Sequence, residues 1–226
     1  MEGTTRIHDH EATQGPRWHR RKGSRPAEIL ASAVQEFVEK GYAATRLEDV
    51  ARRAGLTKGT MYLYFENKEA LFKEMVRHYV APGAERAEQV AREHQGGPRE
   101  LITSLFHHWR ERLVEQPQMG GLAKLVMAEA ANFPDVAAFY YREVFDRNLA
   151  ILSQAIRRGI ECGEFRDVDA RANAALGLMP LIMLAQWKHS FRRVTAEPVD
   201  ASAYFEAHLT HFLRGLEGAA EAVGQS

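Results

Sequence analysis

Residues 54–68 read AGLTKGTMYLYFENK. The stretch is too apolar for a surface loop. Its start is too rich in small and hydroxyl side chains for an ordinary core helix. Thr57, Lys58, Gly59 and Thr60 come in sequence, followed by Tyr62, Tyr64 and Lys68. Gly55 suits a turn that needs positive φ. Thr57 is placed to cap a helix running to about Phe65, and Asn67 to cap the next one.

Immediately upstream, Thr45-Arg46-Leu47-Glu48 has the pattern of a capping box and opens a short helix to about Arg53. Two short helices joined by a tight turn form the helix-turn-helix outline, whose second helix lies in the DNA major groove. Ala51 is small where the two must approach. Before them, Ile29, Leu30, Ala33, Val34, Phe37 and Val38 recur at three and four and make one helical apolar face. Gly41 suits that helix's left-handed cap. Val50, Leu56, Met61 and Phe65 can fasten the pair to it.

Left over are Lys58, Thr60, Tyr62 and Tyr64, with Gly59 allowing close backbone approach. Thr60 offers a hydroxyl to a base edge or a methyl to thymine, and Lys58 reaches guanine or phosphate. The tyrosine hydroxyls suit phosphate oxygens. Lys68 in the first turn of the fourth helix, and Thr45 with Arg46 at the start of the second, sit where free N–H groups favour an anion. Plain capping also accounts for the threonines, packing for Tyr62 and solvation for Lys68. Residues 1–23 are polar and aperiodic and read as a disordered arm ending in a basic cluster. Its Arg21 and Lys22, with Arg25, are candidates for a minor groove or for non-specific phosphate contact.

Residues 25–72, RPAEILASAVQEFVEKGYAATRLEDVARRAGLTKGTMYLYFENKEALF, resemble the DNA-binding domain of the TetR family of bacterial transcriptional regulators. The matching positions are Phe37, Gly41-Tyr42, Thr45, Val50-Ala51, Ala54-Gly55, Thr60-Met61-Tyr62, Phe65, Lys68 and Leu71-Phe72. The C-terminal part, with AEAANFP and RGIECGEFRDVDA, is similar to one recurrent subgroup in outline. The resemblance implies a homodimer on DNA with a ligand-binding C-terminal domain.

Downstream the pattern stays helical. Pro82-Gly83 should kink or break the fourth helix. Leu101, Leu105, Trp109 and Leu113 share a stripe, as do Leu122, Val126, Glu129 and Phe133. Pro134 opens a long helix closed near Gly163, and Asp169 and Asp200 are placed to cap the last two. No strand alternation or repeat occurs. The class is all-α with about nine helices: a three-helix DNA-binding domain at 24–70, an effector-binding and dimerisation domain at 71–218, and a tail at 219–226.

Acidic and basic residues balance at 30 each. Residues 16–80 carry 13 Lys and Arg against 8 Asp and Glu, a basic bias where DNA contact is expected. One cysteine, Cys162, excludes an internal disulfide. The start is not a secretory signal, and the longest apolar run, residues 174–185, is too short to span a membrane. A cytoplasmic protein without a membrane partner is expected. Phe106, Trp109, Met127, Phe133, Phe139, Tyr140, Met179, Met183 and Trp187 are candidates to line a pocket for a small apolar or aromatic effector. They would equally fill an ordinary core. Gly177 and Pro180 should disturb their helix and could open that pocket. Residues 174–185 are apolar all round and need cover from a second subunit.

No nucleophile-and-base motif or phosphate-cradling loop is present, and no cofactor or metal is expected. His208 and His211 have a usable ligand spacing but lie among aromatic residues. The rival readings are a DNA-binding protein without a ligand, favoured by a fully packed interior, and an enzyme drawing on Glu129, Gln186 and His107.

Overall fold

A computed structural model describes residues 25–191, 194–197 and 199–217. Arg21, Lys22 and the tail at 219–226 lie outside them. The described chain is helical, with no strand among the described residues. The elements are α1 (Arg25–Ala44), α2 (Leu47–Arg53), α3 (Lys58–Tyr62), α4 (Lys68–Tyr79), α5 (Ala81–Glu93) and α6 (Pro98–Arg110). They continue as α7 (Pro117–Glu129), α8 (Pro134–Tyr140), α9 (Arg147–Glu161), α10 (Ala170–Ser190) and α11 (Ala201–Leu216). α6 runs on through a π-helical turn at Glu111–Glu115, and a second π turn at Tyr141–Asp146 fuses α8 to α9. Taking each fused pair as one rod, and α4 with α5 as one bent rod, leaves nine among the described residues. None is long and apolar enough to cross a membrane.

The local signals act where the sequence puts them. Gly41 and Gly55 have φ of +81° and +66°; Gly41 breaks the helical run inside α1 and Gly55 follows the end of α2. Thr57 accepts from the backbone N–H of Thr60, and Asn67 from that of Ala70. Asp169 and Asp200 each accept from two backbone N–H groups. The fourth helix breaks at Val80, so Pro82 falls in the first turn of α5, where its missing N–H costs nothing.

One expected cap does not form. The N-cap of α2 is Arg46, without a side-chain hydrogen bond. Thr45 is 2% exposed and donates to the carbonyls of Gly41 and Glu36, 2.7 and 3.2 Å away. Left-handed Gly41 leaves carbonyls at the end of α1 without helical partners. Thr45 meets that demand ahead of its own helix.

Two apolar clusters hold the fold. The first joins α1–α4 to α7 and α8, through Phe37, Val50, Met61, Leu71, Phe72 and Met75 against Leu122, Leu125, Val126, Val136 and Phe139. The second joins α5, α6, α9, α10 and α11 around Phe106, Leu152, Ile156, Leu181 and Phe205. Helix α10 runs unbroken through Pro180. Gly177 opens no cavity; a Cβ there would stand 2.9 Å from Phe212 and 3.0 Å from Leu152, so it serves close packing with α9 and α11.

The end of α9 is the tightest approach in the second cluster. A Cβ on Gly159 would run into the Phe165 ring. That ring cannot easily withdraw, because the N–H groups of Glu164 and Phe165 donate to the Gly159 carbonyl at 2.9 and 3.0 Å. Gly159→Ala is expected to cost ~1–3 kcal/mol by overpacking, read as a lower urea midpoint with unchanged slope. An unchanged midpoint would mean that the ring is not pinned.

Candidate functional site

The surface of α2 and α3 is built on the first cluster. Ala51 and Met61 are buried on the inner sides of the two helices and Gly55 turns the chain between them. An ion-pair network stiffens the back. Arg53 reaches Glu36 and Glu39 at 3.0 and 2.5 Å, and Lys40 bridges Glu36 and Asp49 at 2.6 and 3.3 Å. Arg52 also meets Asp49.

The outer side presents the residues singled out from the sequence. Tyr62 is 45% exposed and Tyr64 44%, with Lys58 and Arg46 exposed beside them. No atom comes within 4 Å of a Cβ built on Gly59. Thr60 is half-buried, its hydroxyl 2.9 Å from that of Thr57. Glu48 is the residue that sequence reasoning missed as part of this surface. Its carboxylate is 2.8 Å from the Lys58 ammonium and accepts from the Tyr62 hydroxyl at 3.4 Å. The Lys58 hydrogen bond holds Glu48 below the usual carboxylate range, and Glu48 in turn raises Lys58. Any incoming anion therefore competes with Glu48 for Lys58. The i to i+10 spacing carries no helical signal; only the turn at Gly55 brings the two together.

Two of the residues singled out from the sequence, Thr45 and Lys68, make contacts within the chain. The hydroxyl of Thr45 is buried and committed to α1, as described. The Lys68 ammonium donates to the carbonyls of Tyr42 and Ala43 at 2.7 and 3.1 Å and lies 4.5 Å from the Tyr42 ring centroid. Burial lowers its pKa, and Glu129 acts against that. A cation at a helix C-terminus meets unpaired carbonyls and the negative end of the dipole. Lys68 thus latches α4 to the end of α1. Arg25, at the start of α1, lies 3.8 Å from Glu28.

Between the two clusters lies a cavity of about 760 Å³. It is walled by α5, α6 with its π turn, α7, the α8–α9 rod and α10. Trp109, Met127, Tyr140, Met179 and Met183 line it. Burial pushes the Tyr140 hydroxyl up to about 12. The Trp109 indole donates to Asn148 at 2.7 Å, which fixes both on the wall.

Four of the expected lining residues are not there. Phe106 is fully buried and stacks on Phe212 beneath α11, with centroids 5.0 Å apart. Phe133 packs edge-on against Tyr42 beneath Lys68. Phe139 lies in the first cluster under Lys73 and Arg77. Trp187 pairs with Phe191 at the far end of α10. Helical spacing put all four on buried or aromatic faces, but did not say which side of α7 and α10 the space falls on. His108, Arg112, Arg142 and Asn148 line the cavity and were not anticipated. A polar side chain interrupting the stripe of α6 at His108 was the available hint.

Other candidate groupings do not converge. Glu129 accepts from the Ala43 N–H at 3.4 Å, Gln186 sits against Met127, and His107 lies against Phe205. His208 donates to the Gly177 carbonyl at 2.9 Å. Among the described residues no three His, Cys, Asp or Glu gather closely enough to hold a metal.

Comparison with known proteins bears directly on these two sites. Residues 29–75 match the model of bacterial regulatory proteins of the tetR family, and residues 110–214 match the C-terminal domain of AefR-like transcriptional repressors. The chain belongs to the TetR family. Two relatives are informative. One is the fatty acid metabolism regulator protein of Bacillus subtilis, 28% identical over 149 residues, 64% of this chain and 73% of that one. The other is the HTH-type transcriptional repressor KstR2 of Mycobacterium tuberculosis, 29% identical over 160 residues, 65% of this chain and 73% of that one. The crystal structure of the transcriptional regulator FadR from Bacillus subtilis in complex with stearoyl-CoA superposes with a TM-score of 0.70 at 20% identity. The match covers 84% of this chain and 99% of that one, and at this identity it establishes the fold. The first-cluster surface is the helix-turn-helix of a TetR-family transcriptional regulator, and the cavity lies in its C-terminal region.

Proposed function

We propose that this TetR-family regulator is a repressor that binds a palindromic operator as a homodimer and is released by a small apolar effector. The observation that carries the effector half is the cavity between the two clusters. A ligand-free DNA-binding protein would be expected to fill that space, and an enzyme would be expected to gather polar groups in it. The KstR2 relative is named a repressor, and the FadR neighbour is described with stearoyl-CoA. The first favours repression and the second a ligand with a long apolar chain.

Arg46, Lys58, Gly59, Thr60, Tyr62 and Tyr64 are proposed to face DNA, with Arg21, Lys22 and Arg25 supplementing them. The ligand is proposed to touch Trp109, Met127, Tyr140, Met179 and Met183. Two recognition helices must sit roughly 34 Å apart to read half-sites one turn apart, which calls for a two-fold dimer. Leu176 and Trp187 on α10 and Tyr204 on α11 are exposed, and Met179 and Met183, exposed on the same side of α10, also line the cavity, so the cavity borders this face. That apolar stripe is the face proposed to meet its counterpart. Binding reaches the DNA-facing surface by two physical routes. α7 walls the cavity with Ala123 and Val126 and packs on α1. α4 ends at the cavity and begins at Lys68.

Retention on random duplex DNA at moderate salt, followed by sequencing, tests the reading. An enriched inverted repeat is the expected result. Folded dimer without enrichment would count against operator binding.

A further inference from the structure

Several observations meet at Arg112. Among the described residues the cavity lining contains two arginines and a histidine, Arg112, Arg142 and His108, and no Asp or Glu. Its other members are apolar apart from Asn148 and the tyrosine hydroxyls. Guanidinium groups set among apolar walls favour a ligand that carries an anionic group on an apolar body. Arg112 is also tied to the joint between α4 and α5. Its Nη2 donates to the carbonyl of Tyr79, the last residue of α4, at 2.7 Å. A Cβ on Gly83 would stand 2.8 Å from the Arg112 Nε, so glycine in the first turn of α5 leaves the guanidinium its place. His108 donates to the Gly83 carbonyl at 2.9 Å beside it. Arg112 lies in the π turn after α6, an irregularity that often marks a functional site. Burial lowers its pKa and the nearby Glu111 opposes this, yet an arginine stays charged near neutral pH.

We infer that the cavity takes an amphipathic anion, an apolar body carrying one carboxylate or similar acidic group, and that Arg112 receives the acidic group. This deepens the effector reading above and rests on it. A carboxylate binds a guanidinium best through two parallel N–H donors. The effector and the Tyr79 carbonyl therefore draw on the same planar group. Seating the anion re-aims Arg112 and biases the α4–α5 joint, whose other end carries Lys68 and Phe72. By linkage, whatever holds α4 for DNA also disfavours the anion.

Decanoate and its neutral amide, decanamide, serve as probes, titrated below micelle-forming concentrations into the full chain at neutral pH by calorimetry. Decanoate is expected to bind about tenfold tighter, equivalent to ~1.4 kcal/mol. Arg112→Met removes that preference and keeps decanamide binding, which shows that the cavity still folds. Arg112→Lys keeps part of the preference. Equal affinity for the two probes, binding of neither, or a preference that survives Arg112→Met overturns the assignment. So does a preference lost only with Arg142→Gln. With the selected operator present, decanoate weakens DNA binding by the native chain and not by Arg112→Met; release that survives the substitution overturns the coupling. The calorimetric arm uses no DNA, so failure of operator binding is seen separately.

Discussion

Replacing Lys58 and Tyr62 together by alanine is expected to weaken operator binding by ~100-fold or more while the fold persists. The size follows from the surface. Each lost polar contact to DNA is worth about 1–3 kcal/mol, each decade of affinity takes about 1.4, and a dimer loses every contact twice. The fold should tolerate the change because both side chains are exposed and contribute nothing to either cluster. What they make within the chain is an exposed contact with Glu48, and such pairs are worth ~0–1 kcal/mol. Salt separates the two roles. Loss of the lysine should flatten the dependence of affinity on salt, since fewer counterions are released, whereas loss of the tyrosine alone should shift the line without changing its slope much. Native-like helicity with undiminished operator affinity would remove α3 from the interface.

The DNA-binding half was legible because its signals are local. Gly41 and Gly55 need positive φ, and Thr57 and Asn67 cap the elements that follow them. The errors there come from competition between local and neighbouring demands. Thr45 has the right residue for a capping box, but the end of α1 holds carbonyls that need a donor, and burial makes that need the stronger. Lys68 fits an anion site at the start of α4, and its contacts with the Tyr42 and Ala43 carbonyls and the Tyr42 ring are not legible in the local pattern, because they cross from α4 to the end of α1. The cavity was only half legible. Periodicity marks Phe106 and Trp109 as inward-facing, but they point to different spaces, one beneath α11 and one into the cavity. That distinction depends on how α6 crosses α9 and α11, which no single helix encodes. Arg112 was invisible for the same reason: its partner carbonyl lies 33 residues away in sequence.

Truncating Phe72 to alanine should be the most damaging change to stability, at ~3–5 kcal/mol out of a typical total of 5–15. Phe72 is 1% exposed and belongs to an aromatic group. It meets Phe37 and Tyr42 edge-on, with centroids 5.6 and 5.4 Å away, while those two stack on each other at 5.5 Å. Tyr42 also touches Phe133 at 4.5 Å, so the group spans α1, α4 and the turn between α7 and α8. Removing the Phe72 ring leaves space that this group cannot close without shifting α4 against α1. Because the first cluster contains Leu122, Leu125 and Val136 as well as the helix-turn-helix, the loss should lower one cooperative urea transition for the whole chain. Phe72→Leu, which keeps most of the volume, should cost less than about half as much. Two separated transitions, the first reporting only the DNA-binding helices, would show instead that α7 and α8 do not share a core with them. In that case the α4–α5 joint at Arg112 would have to carry the connection.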